Sequence, residues 1–144
     1  MQTVSIGGAK YFVAFIDDYT QCCAVYLMKH KSEMLDNFKE FKAMTTNKVG
    51  KAIGTIRKDN GGEYCSNDFQ SYLKNKGIRH ELTVPNSPHQ NGVPEWKNLT
   101  LVESALSMIA HTQLPNMHWV EAISKAAYVR NRLPTMARKE NETP

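Results

Sequence analysis

The spacing of apolar residues changes several times along this chain, and each change predicts an element. Tyr11-Phe12-Val13-Ala14-Phe15-Ile16, within Lys10 to Asp17, is a continuous apolar run typical of a buried strand. Asp18-Tyr19-Thr20-Gln21 reads as a turn, and Cys22 to Met28 as a second strand paired back on the first. Ser32 is placed to cap a helix whose stripe is Met34, Phe38 and Phe41. Lys51 to Lys58 reads as a third strand, with Ile53 and Ile56 as its apolar content. Ser66 then caps a short helix carrying Phe69 and Leu73, Gly77 ends it, and Ile78 to Val84 is strand-like.

A loop rich in Pro, Asn and Gly follows, and two helices come after it. The first runs from about Val93 to Thr112, with Leu99, Val102, Leu106 and Ile109 as its stripe and Glu95 one turn before Leu99 on the same line. Pro94 fits the first turn of such a helix, where its missing N–H costs nothing. The second runs from about Asn116 to Arg132, with Trp119, Ile123, Ala126 and Val129 on one face and Pro115 and Pro134 at its ends. Strands, then alternating helices and strands, then a helical tail predict an α/β fold layered around a mixed sheet.

Composition adds bounds rather than identity. With 144 residues, 41% hydrophobic and 22% charged, the chain has the size and make-up of one globular domain. No apolar run approaches the roughly 20 residues needed to span a bilayer, and the N-terminus lacks a signal-peptide pattern. Cys22, Cys23 and Cys65 are odd in number and have no Cys-x-x-Cys spacing, which argues against a disulfide framework or a zinc site. The expected location is nuclear or cytoplasmic, not secreted and not membrane-bound. A net charge of +4 permits nucleic-acid binding without demanding it.

The candidate chemistry rests on two acids. Asp59 ends the third strand and opens Asn60-Gly61-Gly62; these residues suit a turn, yet an acid at the carboxyl end of a strand in an open α/β sheet also suits a ligand site. Glu95 begins a helix on its predicted inward face. A first-turn acid complements the helix dipole, which explains its presence there but not an inward direction; a buried carboxylate needs a partner, a metal or water. Thirty-five residues, positions 60 to 94, separate the two acids.

Lys58-Asp59-Asn60-Gly61-Gly62-Glu63-Tyr64, Pro85-x-Ser87-Pro88-x-Gln90-Asn91-Gly92-Val93 and Glu95-x-Lys97-Asn98-x-Thr100 together resemble the catalytic core of retroviral-type integrases, most closely those of Copia-type LTR retrotransposons. Gly7 to Phe12, Phe15 to Thr20, Phe38 to Lys42, Trp119-x-Glu121-Ala122 and Asn131-Arg132-Leu133-Pro134 extend the resemblance over essentially the whole chain. It implies a ribonuclease-H-like fold, DNA as partner, Mg2+ (or Mn2+) as cofactor, and phosphoryl transfer on DNA ends during integration. Asp59 and Glu95 would be the catalytic, metal-binding acids, with Asn60, Gln90, Asn91, Lys97 and Asn98 as DNA contacts. A homo-oligomer is a further expectation.

The family's first catalytic Asp lies on a strand before Thr3-Val4-Ser5-Ile6, and no acid here precedes Asp17. Asp17 and Asp18 match the end of the family's second strand and its turn, not the catalytic position. The resemblance therefore implies an N-terminally truncated core with two acids of three, inactive as it stands. Trp96, Leu99 and Leu106 occupy positions where this family commonly carries basic residues, which weakens expected phosphate contacts. The alternative is a non-catalytic DNA-binding or self-association module of retrotransposon origin.

Overall fold

The structure, a computed structural model, describes residues 3–17, 20–58, 67–82 and 88–134. They divide into two compact units, one built from Met1–His30 with Trp96–Pro144 and the other from Lys31–Glu95.

In the first unit, strands β1 (Tyr11–Ile16) and β2 (Cys23–Met28) pair antiparallel, with Tyr11 opposite Met28 and Ile16 opposite Cys23. The continuous apolar run has a simple cause: both faces of β1 are covered. Val13 and Phe15 are buried on one face, where Phe15 meets Tyr26 edge-on at 5.7 Å. Phe12, Ala14 and Ile16, on the other, pack against buried residues of helices α3 (Pro88–Thr112) and α4 (Trp119–Arg130). The turn expected at 18–21 closes as predicted where it is described. Gln21 takes a left-handed φ of 63° and donates to the Asp17 carbonyl, while Asp17 N–H donates to the Cys22 carbonyl. Asp18 and Tyr19 lie outside the described residues.

The buried line of α4 is Trp119, Ala122, Ile123, Ala126 and Ala127. This corrects the expected stripe at its end: Val129 is 38% exposed, because rows at i+3 and i+4 carry the face through Ala127 and past Val129. On α3 the correction is larger. Leu101, Ala105 and Ile109 are buried, whereas Leu106 is 48% exposed. Small Ala105 lets α3 approach the cluster containing Trp119 and Ile123, a choice of face that a count of large apolar residues does not see.

Asn131, just beyond α4, closes the far edge of the hairpin. Since Asp17 N–H bonds the Cys22 carbonyl, the alternation of an antiparallel ladder turns both polar groups of Cys23 away from β1. Asn131 takes both: Cys23 N–H donates to its Oδ1 at 2.9 Å, and its Nδ2 donates to the Cys23 carbonyl at 2.8 Å.

In the second unit, helices α1 (Met34–Val49) and α2 (Asn67–Asn75) bring Phe38 and Phe69 together edge-on at 5.5 Å, with Met34 and Leu73 also buried. Strands β3 (Thr55–Lys58) and β4 (Arg79–Leu82) pair in parallel, so both senses of a mixed sheet occur, as two separate two-stranded sheets. Strand β3 is shorter than expected, since the ladder starts only where Arg79 N–H donates to the Gly54 carbonyl. Ser32 does not cap α1. It lies in a 3-10 turn, Lys31–Glu33, whose backbone already leads into the helix, while a capping side chain needs an extended residue. Gly77 ends α2 as predicted, with φ 68°. Ser66, Cys65, Thr83 and Val84 lie outside the described residues.

Replacing Asn131 by Ala leaves the Cys23 N–H and carbonyl without their side-chain partner, and should cost about 1–3 kcal/mol. The expected outcome is a lower urea midpoint together with faster amide exchange at Cys23. Unchanged exchange at Cys23 would remove Asn131 from this role.

Candidate active site

The second unit fixes where its two candidate acids enter the fold. Strand β3 ends at Lys58, so Asp59 leaves directly from its carboxyl end. Lys58 pairs with Leu82, the last residue of β4, so both strands of this parallel pair end together. From one end the chain continues into Asp59 and Asn60; from the other it continues through 83–87 into α3, which carries Glu95. Carboxyl ends of parallel strands are where open α/β sheets place ligand sites, because the chain there is free of the ladder. Asp59 and Asn60 themselves lie outside the described residues.

Helix α3 starts earlier than its composition predicts. Its range, Pro88–Thr112, takes in Gln90, Asn91, Gly92, Val93 and Pro94, all expected to be loop or first turn. Two consequences follow for Glu95. It stands two turns inside the helix, and the first turn holds no acid, so dipole complementation does not account for it. Within the second unit, Asn91 and Glu95 are spaced i and i+4, one above the other along α3, and Gln90 stands on the neighbouring row. Lys97 and Asn98 follow on the same helix, within the first unit.

Pro94 is therefore an interior proline. It has no N–H to give the carbonyl of Gln90, four residues back, a defect that typically costs about 3 kcal/mol in a helix. Gly92 beside it adds about 1 kcal/mol relative to Ala. The segment before Glu95 is thus held in a helix against its own propensity.

One further acid and one histidine have evident structural roles. The Asp17 carboxylate accepts hydrogen bonds from the N–H and hydroxyl of Thr20, which fixes it as the cap of the β1–β2 turn. His80 on β4 packs edge-on against Phe69 at 6.4 Å. Among the described residues no three His, Cys, Asp or Glu side chains are grouped to hold a metal ion, and no helix is long and apolar enough to cross a membrane. The sequence reading named Asn131 only as part of a motif; an Asn just past a helix end and before a proline is the signal that it closes a backbone edge.

The integrase core domain family model matches residues 2–88. The retrovirus-related Pol polyprotein from transposon TNT 1-94 of Nicotiana tabacum is 43% identical over 136 residues, covering 94% of this chain and 10% of that protein. The chain thus spans about a tenth of the length of this curated relative. Among solved structures, the simian T-cell lymphotropic virus intasome in complex with the PP2A regulatory subunit B56 gamma aligns with TM-score 0.67 at 22% identity, over 87% of this chain and 43% of that one. The HTLV-2 integrase catalytic core domain in complex with magnesium, in trimeric form, aligns with TM-score 0.59 at 22% identity, over 85% and 74%. The fold is ribonuclease-H-like.

Because α3 begins at Pro88, Pro94→Ala restores an interior hydrogen bond and should raise stability by up to about 3 kcal/mol. Thermal unfolding measures it. A neutral effect would return Pro94 to a first turn.

Proposed function

This chain belongs to the integrase core domain family, and on that premise we propose that it is the part of a Copia-type retrotransposon Pol polyprotein that acts on DNA ends by metal-dependent phosphoryl transfer. The single observation that carries the reading is the shared carboxyl end of β3 and β4. One strand leads straight into Asp59, and the other leads toward the helix bearing Glu95.

The donor set fits a hard cation. Magnesium is typically held by one or two carboxylates, with waters and substrate phosphate oxygens completing its shell, and Asp59 and Glu95 offer that chemistry. When bound, Mg2+ or Mn2+ supplies neutralisation of phosphate charge and activation of an attacking oxygen, water or a DNA 3′-hydroxyl. The protein's share is to place the two carboxylates and to hold DNA. Asn60, Gln90, Asn91, Lys97 and Asn98 are assigned to DNA contact, their amides and ammonium suiting phosphate and sugar oxygens. Solved integrase neighbours described as dimeric and trimeric support self-association of this chain. The reading carries with it a nuclear or cytoplasmic location.

The test is a purified chain incubated with a labelled duplex ending in the element's terminal sequence. Mn2+ binding that weakens in Asp59→Asn and in Glu95→Gln is expected; cleavage or joining that also falls to background in both variants would show that these two acids carry chemistry in this chain. Salt-dependent DNA binding that survives both substitutions, with no chemistry in either metal, would identify a non-catalytic binding module instead.

A further inference from the structure

The outward side of α4 carries an arrangement that neither the core nor the candidate site uses. Lys125, Tyr128 and Arg132 follow one another at i, i+3 and i+7, one row along α4 and the helical turn after it, where Arg132 N–H donates to the Val129 carbonyl. Tyr128 is 51% exposed. The Arg132 guanidinium lies over its ring, with Cζ 3.5 Å from the centroid, and Nη1 donates to the Tyr128 carbonyl at 3.1 Å. The Lys125 ammonium stands 4.9 Å from the same centroid.

A half-exposed tyrosine adds little to a core, and two cations gathered on one ring repel each other. A comparable pair, Lys39 and Lys42, lies by Tyr72 of α2, but that ring also packs edge-on against Phe38 and so has a structural reason to be there. Tyr128 has no such reason. What it does is hold a long, flexible guanidinium in one place, using a stacking contact and a hydrogen bond that together occupy one of five donors. The ordering cost of Arg132 is met before any ligand arrives. Neither Lys125 nor Arg132 makes an ion pair with a described residue. The nearest acid on the row is Glu121, one turn before Lys125, which bounds the surface on that side.

We propose that Lys125, Tyr128 and Arg132 form a docking surface for the phosphodiester backbone of DNA, a set of residues not among those assigned to the site above. The proposal rests on the reading of this chain as a DNA-acting integrase core. Phosphate is the ligand that suits it: a fixed guanidinium offers paired N–H donors to two phosphate oxygens, and a lysine beside it adds a point charge. Such contacts position DNA without reading its sequence.

The test is anisotropy of the full chain with a fluorescent duplex of scrambled sequence, titrated at several salt concentrations. Each phosphate contact contributes about 0.9 to the slope of log K against log salt, so Lys125→Ala with Arg132→Ala should flatten the slope by nearly two. Tyr128→Phe, which keeps the ring, should preserve the slope, while Tyr128→Ala should lose part of it. Lys125→Arg should preserve binding, separating charge from helix propensity. A wild-type slope in the double alanine variant overturns the proposal, as does equal competition by polyglutamate at matched charge, which would assign the surface to an acidic protein. A chain that binds no DNA at low salt overturns both this surface and the proposed function. Metal-dependent chemistry with an unaltered slope removes only the surface.

Discussion

Burial of the Trp119 indole is the interaction on which the first unit depends. The side chain is fully buried in a cluster with Ala105, Ile109 and Ile123, with Phe12 of β1 packed against it. Its one polar atom is satisfied, since Nε1–H donates to the Thr3 carbonyl at 2.7 Å. A single ring thus ties the N-terminal segment, β1, α3 and α4 to one another. It spares the unit the desolvation cost of an unpaired donor, of order 1–3 kcal/mol. Aromatic residues bury large areas, and here that area is placed at the start of a helix whose every inward position after it is small or branched.

The stretches that composition reads well are those where packing and propensity agree. The run Tyr11 to Ile16 reads as a buried strand, and Phe69 and Leu73 as the apolar content of α2, and both are so. The misreadings share a cause. On α3 and α4 small alanines, not the large residues Leu106 and Val129, decide which face approaches its neighbours, and close approach is invisible to a pattern that weighs side chains by size. Ser32 reads as a cap because its chemistry is right, but a preceding 3-10 turn had already fixed its backbone.

The candidate site is legible in a different way. Its acids are found through flanking motifs, while their setting comes from topology: parallel β3 and β4 end in register, and that end feeds both acid-bearing segments. From sequence Glu95 opens a helix starting near Val93; a start at Pro88 places it about two turns in. The reason is Pro94. A proline is read as a boundary by default, and here the helix continues through it despite the lost hydrogen bond. Local signals cannot show which tertiary contacts overcome that loss.

The bond between Cys23 and Asn131 spans 108 residues, and the whole of the second unit lies between the two. On a ribosome, then, the β1–β2 hairpin emerges long before its partners. At synthesis rates of about 5–20 residues per second it waits roughly five to twenty seconds for α4 and Asn131. During that interval an apolar strand pair with an open edge is exposed to any other nascent strand. The intervening unit, a compact unit spanning residues 31–95, has time to fold first. Birth order, as much as final stability, makes the closing asparagine the last stitch of the molecule.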